Sequence, residues 1–156
     1  MGEMRAMSAE LDIKEEVKEY DFKGRHYYSL DTKSRTFMPS RFREDLGDKF
    51  VLSIGFDGCL TALPQEVWKK FAKDLLSKSE YDEEARYLRR EFTSNAEDCV
   101  VDKQGRILIP GELKEAANIK KDIVMTGNID KVEIWDLETW NEYRRQKSLK
   151  AAGQNV

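Results

Sequence analysis

Two short segments of this 156-residue chain carry residue types from which a binding site can be built. Residues 31–39 read D-T-K-S-R-T-F-M-P and residues 102–110 read D-K-Q-G-R-I-L-I-P, with Asp, Arg and Pro in one register 71 positions apart. An aspartate at the end of one strand accepts hydrogen bonds from the backbone of the turn that follows, and pairs with an arginine on the returning strand. The resulting hairpin is rigid, with a lysine or another polar residue at its tip and an arginine at its base. Arginine's planar fork suits bidentate contact with phosphate, or with O6 and N7 of guanine. The same constellation also serves as a plain staple that locks the turn while its lysine stays in water. Both uses are open here, because duplication preserves staples as well as binding groups.

The two copies differ in their linear surroundings. From Asp21 to Arg43 the chain carries six bases (Lys23, Arg25, Lys33, Arg35, Arg41, Arg43) against two acids (Asp21, Asp31). The second copy has Glu97, Asp98 and Asp102 close before or within it, and Glu112 and Glu115 after it. The residues before the first copy, Ser8 to Tyr20, are acidic, with five carboxylates against two lysines. A net charge of −3 therefore hides a segregated pattern, and segregation carries information about partners. On this reading the first copy faces a polyanion, and Asp102 and Arg106 serve mainly to hold the fold.

The repeat extends beyond the turns and defines the elements that position them. Phe42 corresponds to Leu113, Gly55 to Gly127 and Trp68 to Trp140 once one residue is skipped after a short helix. Each unit reads as strand, tight turn, strand, short helix and hairpin. Tyr27–Leu30 and Asp98–Val101 precede the turns; Arg35–Met38 and Arg106–Ile109 follow them and stop at proline. Pro39 and Pro110 suit the first turn of short helices over 40–46 and 111–117, which Gly47 and Asn118 end in a left-handed cap. Residues 49–54 with 59–63, and 123–126 with 132–135, form hairpins turned by Asp57-Gly58 and by Asn128–Lys131. Apolar residues at helical spacing predict helices over 65–77 (Val67, Trp68, Phe71, Leu75, Leu76) and 81–92 (Tyr81, Ala85, Leu88, Phe92). A last helix over 137–147 follows Asp136 as N-cap and frays from about Leu149. Trp68 and Trp140 fall on amphipathic stripes and read as packing residues.

Each half is about 50 residues, small for an independent β-rich core. Pairing the halves about a pseudo-two-fold axis gives a mainly β protein with flanking helices, whose strands close into one barrel that hides their edges. The expected division is an acidic, flexible extension over 1–20, a first half with a helical insertion over 21–93, and a second half with its helix over 94–148.

Several function classes fit the composition poorly. Cys59, Cys99 and the lone His26 supply no spaced ligand set, so no metal or other cofactor is expected, and the cysteines read as buried reduced thiols. His26 has neither a nucleophile turn nor an orienting carboxylate motif beside it, which makes an enzyme the least favoured class. No apolar run approaches the roughly 20 residues of a spanning helix, and Met1–Ala9 lacks a signal-peptide core, so a cytoplasmic protein is expected.

The two turn motifs, the segment S-N-A-E-D-C-V-V-D-K-Q-G-R-I-L-I-P and the ending V-E-I-W-D-L-E-T-W resemble the MraZ family of bacterial transcriptional regulators, over about Phe22 to Arg145. The resemblance implies a tandem swapped-hairpin (double-split) barrel related to AbrB-type DNA-binding domains. It implies a nucleoid-associated, ring-like homo-oligomer that represses its own division and cell-wall gene cluster, recognising short, regularly spaced, G-rich direct repeats in double-stranded DNA. Carried over residue by residue, it puts Thr32, Lys33, Ser34 and Arg35 on a DNA-facing turn held by Asp31, with Lys23 as a further basic contact. Ser34 departs from the glycine usual there, at a cost on the order of 1 kcal/mol if its φ is positive. The alternative from another class is an AbrB-like antitoxin or oligomeric protein-interaction scaffold.

Overall fold

The computed structural model describes residues 18–153. Its elements run β1 (Arg25–Ser29), β2 (Arg35–Phe37), α1 (Ser40–Leu46), β3 (Lys49–Ile54), β4 (Leu60–Leu63), α2 (Gln65–Ser77) and α3 (Glu83–Ser94) through the first repeat. The second gives β5 (Glu97–Val100), β6 (Arg106–Leu108), α4 (Gly111–Ala116), β7 (Asp122–Asn128), β8 (Lys131–Asp136) and α5 (Leu137–Gly153). Most of the acidic extension, residues 1–17, lies outside the described residues, whereas Tyr20 donates from its hydroxyl to Glu66 at 3.0 Å and stacks on Phe22.

Strand pairing crosses between the repeats. A six-stranded antiparallel sheet has the order β1-β7-β8-β4-β3-β5, and β2 pairs with β6 in a separate two-stranded ribbon. The first strand of each repeat thus adds to the hairpin of the other: β1 lies on β7 and β5 on β3. Both central pairings are self-symmetric under the repeat. Thr61 sits opposite Glu133 in the sheet, and Thr36 opposite Ile107 in the ribbon. One pseudo-two-fold axis therefore runs through both layers.

The core lies between these layers. Phe50, Leu52, Leu60, Ala62, Ile123, Met125, Val132 and Ile134 project from one face of the sheet and meet Met38, Ile107 and Ile109 from the ribbon. Phe42 and Leu46 of α1 and Leu113 of α4 fill the ends of that space. On the other face, Phe92 of α3 packs between Phe71 of α2 and Phe56, while Trp140 and Tyr143 of α5 pack on Trp135. Burying a large apolar side chain contributes about 1.5–3 kcal/mol, so the two repeats hold each other through one shared core rather than two small ones.

Several expectations change. The closed barrel is not formed: β2 and β6 pair with each other and leave β1 and β5 as the sheet's edges. Three-residue strands stopped by Pro39 and Pro110 are too short to carry a ladder around to those edges. Nor do the strands flanking each turn form a hairpin with one another, because they diverge to separate partners. Tyr81 is 96% exposed and precedes α3, which starts at Glu83 behind an Asp82 cap; Leu76 is also exposed. The last helix does not fray at Leu149 but runs to Gly153. It begins as expected, with the Asp136 carboxylate accepting from the backbone N–H of Thr139 at 3.2 Å.

Close approach explains the repeated glycines. A Cβ on Gly127 would overlap the backbone of Phe22 and Lys23, where the chain enters β1 and bridges Ile129. At Gly55 it would stand 2.8 Å from Cys59 Sγ and Thr61 Cγ2. Gly127→Ala should lower stability by about 1–3 kcal/mol, because backbone has to move. Urea unfolding would show it, and an unchanged midpoint would mean that the β1 junction is looser than its geometry.

Candidate nucleic-acid interface

Each turn is organised by one carboxylate. Asp31 Oδ1 accepts from the backbone N–H groups of Lys33 and Arg35, both at 2.9 Å, and Oδ2 accepts from Arg35 Nε at 2.9 Å. Asp102 repeats the pattern with Gln104 at 2.9 Å, Arg106 N at 2.8 Å and Arg106 Nε at 3.0 Å. The main chain closes both loops, through Asp31 N to Arg35 O and Asp102 N to Arg106 O. These bonds favour the charged carboxylate, foremost the one from the arginine's backbone N–H, and hold both aspartates below the ordinary value of 3.8. Only Nε of each guanidinium is spent on the aspartate; Arg106 Nη2 also reaches Gln104 Oε1 at 3.3 Å.

The ribbon carries both arginines onto one face. Arg35 lies opposite Leu108, and Phe37 opposite Arg106, so all four side chains point the same way, while Thr36 and Ile107 between them face the core. Phe37 is 52% and Leu108 54% exposed. Two apolar side chains thus stand in water, each across the ribbon from an arginine, and the turn tips Thr32-Lys33 and Lys103-Gln104 are exposed at opposite ends. The turns are tied together by Ile109 N donating to Ser34 O and Met38 N donating to Gly105 O, at 3.0 and 2.9 Å.

Helices are exchanged as well. Lys114 of α4 reaches Ser34 Oγ in the first turn at 3.2 Å, and the guanidinium of Arg43, from α1, covers Gly105 in the second. Arg43 and Lys114 stand 71 positions apart and are equivalent under the repeat. Linear neighbourhood is therefore not spatial neighbourhood: the helix bearing Arg41 and Arg43, together with Glu44 and Asp45, abuts the second turn, and the helix bearing Glu112 and Glu115 abuts the first. The charge difference read along the sequence does not separate the two turns in space.

The structure gathers Thr32, Lys33, Ser34 and Arg35 around Asp31, and Arg106 on Asp102. It leaves Lys23 at the other end of β1, paired with Asp21 at 2.8 Å. Phe37, Leu108, Arg43 and Lys114 belong to this surface but were not singled out as contacts by sequence reasoning; the exposed place of Phe37 within R-T-F was the available signal. Elsewhere, a groove of about 680 Å³ is lined by aromatic and aliphatic groups including Ile54, Trp68, Phe71 and Phe92. Cys59 and Cys99 are buried and free, and burial raises both thiols, Cys99 to about 11, so neither is a thiolate at neutral pH. No helix among the described residues is long and apolar enough to cross a membrane.

The family model described as "MraZ protein, putative antitoxin-like" matches the chain twice, over residues 22–91 and 92–155. The chain is 47% identical over 119 residues to the transcriptional regulator MraZ of Lachnoclostridium phytofermentans, covering 76% of this chain and 84% of that one. It is 46% identical over 125 residues to its counterpart from Pelotomaculum thermopropionicum, covering 80% and 86%. Against that of Desulforamulus reducens it is 42% identical over 137 residues, or 86% and 96%.

Two outcomes follow from the turn chemistry. An aspartate with a depressed folded pKa adds stability above its unfolded value, and that stability is lost as pH falls through the folded value. The melting temperature should therefore drop below pH 3.8 in the wild type, and less steeply in Asp31→Asn/Asp102→Asn, as circular dichroism melts from pH 5 to 2 would record. Ser34 has φ 60°, a strain on the order of 1 kcal/mol, set against a hydrogen bond from Lys114 of about 0.5–1.5 kcal/mol. These terms oppose, so Ser34→Gly should change stability by less than about 1 kcal/mol; a larger shift would mean that one of them is misjudged.

Proposed function

The chain belongs to the MraZ family, and on that premise we propose that it is a sequence-specific DNA-binding transcriptional regulator. The observation that carries this reading is the outward face of the β2–β6 ribbon, where Arg35 and Arg106 stand related by the pseudo-two-fold axis. A two-stranded ribbon is narrow enough for the major groove, and arginine is the side chain best fitted to guanine's O6 and N7 there. Phe37 and Leu108 suit apolar contact with thymine methyls and deoxyribose.

In this proposal Thr32, Lys33, Ser34 and Arg35 form the DNA-facing turn, with Asp31 fixing its shape. Because the helices are exchanged, no charge argument confines contact to the first turn, and Arg106 joins the surface while still pairing with Asp102. Lys23 serves as a peripheral phosphate contact. The exchange of β1, β2, β5 and β6 between the repeats supports a swapped-hairpin reading, with halves over 21–93 and 94–148.

One ribbon with two arginines is a weak reader. We place several on a ring-like homo-oligomer, where repeated short operator elements turn weak contacts into affinity by raising effective concentration. The regulated unit is its own division and cell-wall gene cluster, and the action is repression, in the cytoplasm at the nucleoid.

Binding should rise steeply with the number of repeats and fall steeply with salt, as gel shifts on duplexes with one to four repeats would show. Arg35→Ala should weaken binding about 5- to 150-fold with the fold and oligomer intact, since one bidentate base contact is worth about 1–3 kcal/mol. Equal affinity for one repeat and four would remove the ring mechanism. Full binding by a folded Arg106→Ala would return that residue to a purely structural role.

A further inference from the structure

Arg43 is a guanidinium without a partner. Its Nε is buried and makes no hydrogen bond, and among the described residues no carboxylate lies within ion-pair distance of it. The group lies against the second turn: a Cβ on Gly105 would stand 3.0 Å from Nη1, 3.3 Å from Cζ and 3.6 Å from Nη2. Its charge also acts on Tyr28, whose phenol is raised by burial and held down in part by Arg43. Arg43 is half-buried, and a buried Nε–H with no acceptor is unfavourable, so folding alone gives no reason to keep it there.

Its repeat equivalent differs in having a hydrogen-bond acceptor at this position. Lys114 has an internal acceptor in Ser34 Oγ at 3.2 Å. The second turn offers Arg43 no such oxygen, because Gly105 has no side chain. The turn it lies against also carries the exposed Lys103 and ends in Arg106. A planar fork held against a rigid turn, with its acceptor missing from the protein, is preorganised for a tetrahedral oxyanion.

We infer that Arg43, reaching across from the first repeat, is a phosphate-binding residue of the second turn, and that its ligand is a backbone phosphate of bound duplex DNA. The inference rests on the DNA-binding reading above. Arg35 and Arg106 then address base edges, whereas Arg43 sets the position of the strand without reading sequence. The ribbon is thereby asymmetric: its second end holds a free guanidinium, and its first end a lysine already engaged by Ser34.

The full-length protein, wild type and with Arg43→Gln or Arg43→Lys, would be titrated across a salt series. One duplex would carry the region upstream of its own gene, and another of equal length an unrelated sequence. Arg43→Gln should lose affinity by a similar factor on both, with the log–log salt slope shallower by about 0.9, the loss expected for one phosphate contact. Arg43→Lys should recover most of that slope, and the melting temperature of Arg43→Gln should equal or exceed the wild type's. An unchanged slope in folded Arg43→Gln would overturn the inference, as would a loss confined to the upstream duplex, which marks a base contact. A lowered melting temperature with wild-type slope would assign Arg43 a packing role instead. If the wild type bound neither duplex, the DNA reading itself would fall, with the inference built on it.

Discussion

The pairing of Thr36 with Ile107 at the centre of the β2–β6 ribbon is the contact on which the rest of the architecture depends. It forces each repeat's chain to cross to the other side straight after its turn, so the helix that follows lands beside the other repeat's turn. Two residues buried on the pseudo-two-fold axis thereby decide which cation meets which turn. They also bring both arginines onto one face, which neither repeat achieves alone. The shared core of Phe42, Leu113, Met38 and Ile109 exists only because of that crossing.

The turns themselves solve a local problem. A tight turn leaves backbone N–H groups pointing inward, and the Asp31 and Asp102 carboxylates satisfy two each while holding an arginine. The arginine is kept at the base of the turn by its Nε bond to the aspartate. Its side-chain entropy is partly spent during folding, so less remains to be lost in the proposed DNA contact. The whole chain carries a net charge of −3, so its overall field does not favour a polyanion. Steering has to come from a local cluster and not from a global field.

The repeats have diverged where the turn meets its neighbour. Ser34 tolerates φ 60° with a lysine on its hydroxyl, and Gly105 adopts φ 81° with an arginine over its Cα. Each pair is a local solution: a hydroxyl needs a donor, and a bare Cα leaves room for a flat group. Symmetry of the backbone with asymmetry of these pairs lets one fold present two unequal ends.

Local chemistry made much of this readable from sequence. The proline-stopped strands, both short helices, the Asp57-Gly58 turn, α2 over 65–77 and the Asp136 cap follow from φ preferences, periodicity and capping, which depend on near neighbours. The Asp–Arg lock is local as well, spanning five residues. Tyr81 fitted the period of α3 yet lies outside it, since periodicity does not mark where a helix begins. Partner choice was not readable. Strand order, the open sheet in place of a closed barrel, and the placing of Arg43 on Gly105 and Lys114 on Ser34 are set by which long-range packing buries most apolar surface. A repeat in sequence guarantees two similar units, but only the tertiary structure decides whether each completes itself or is completed by the other.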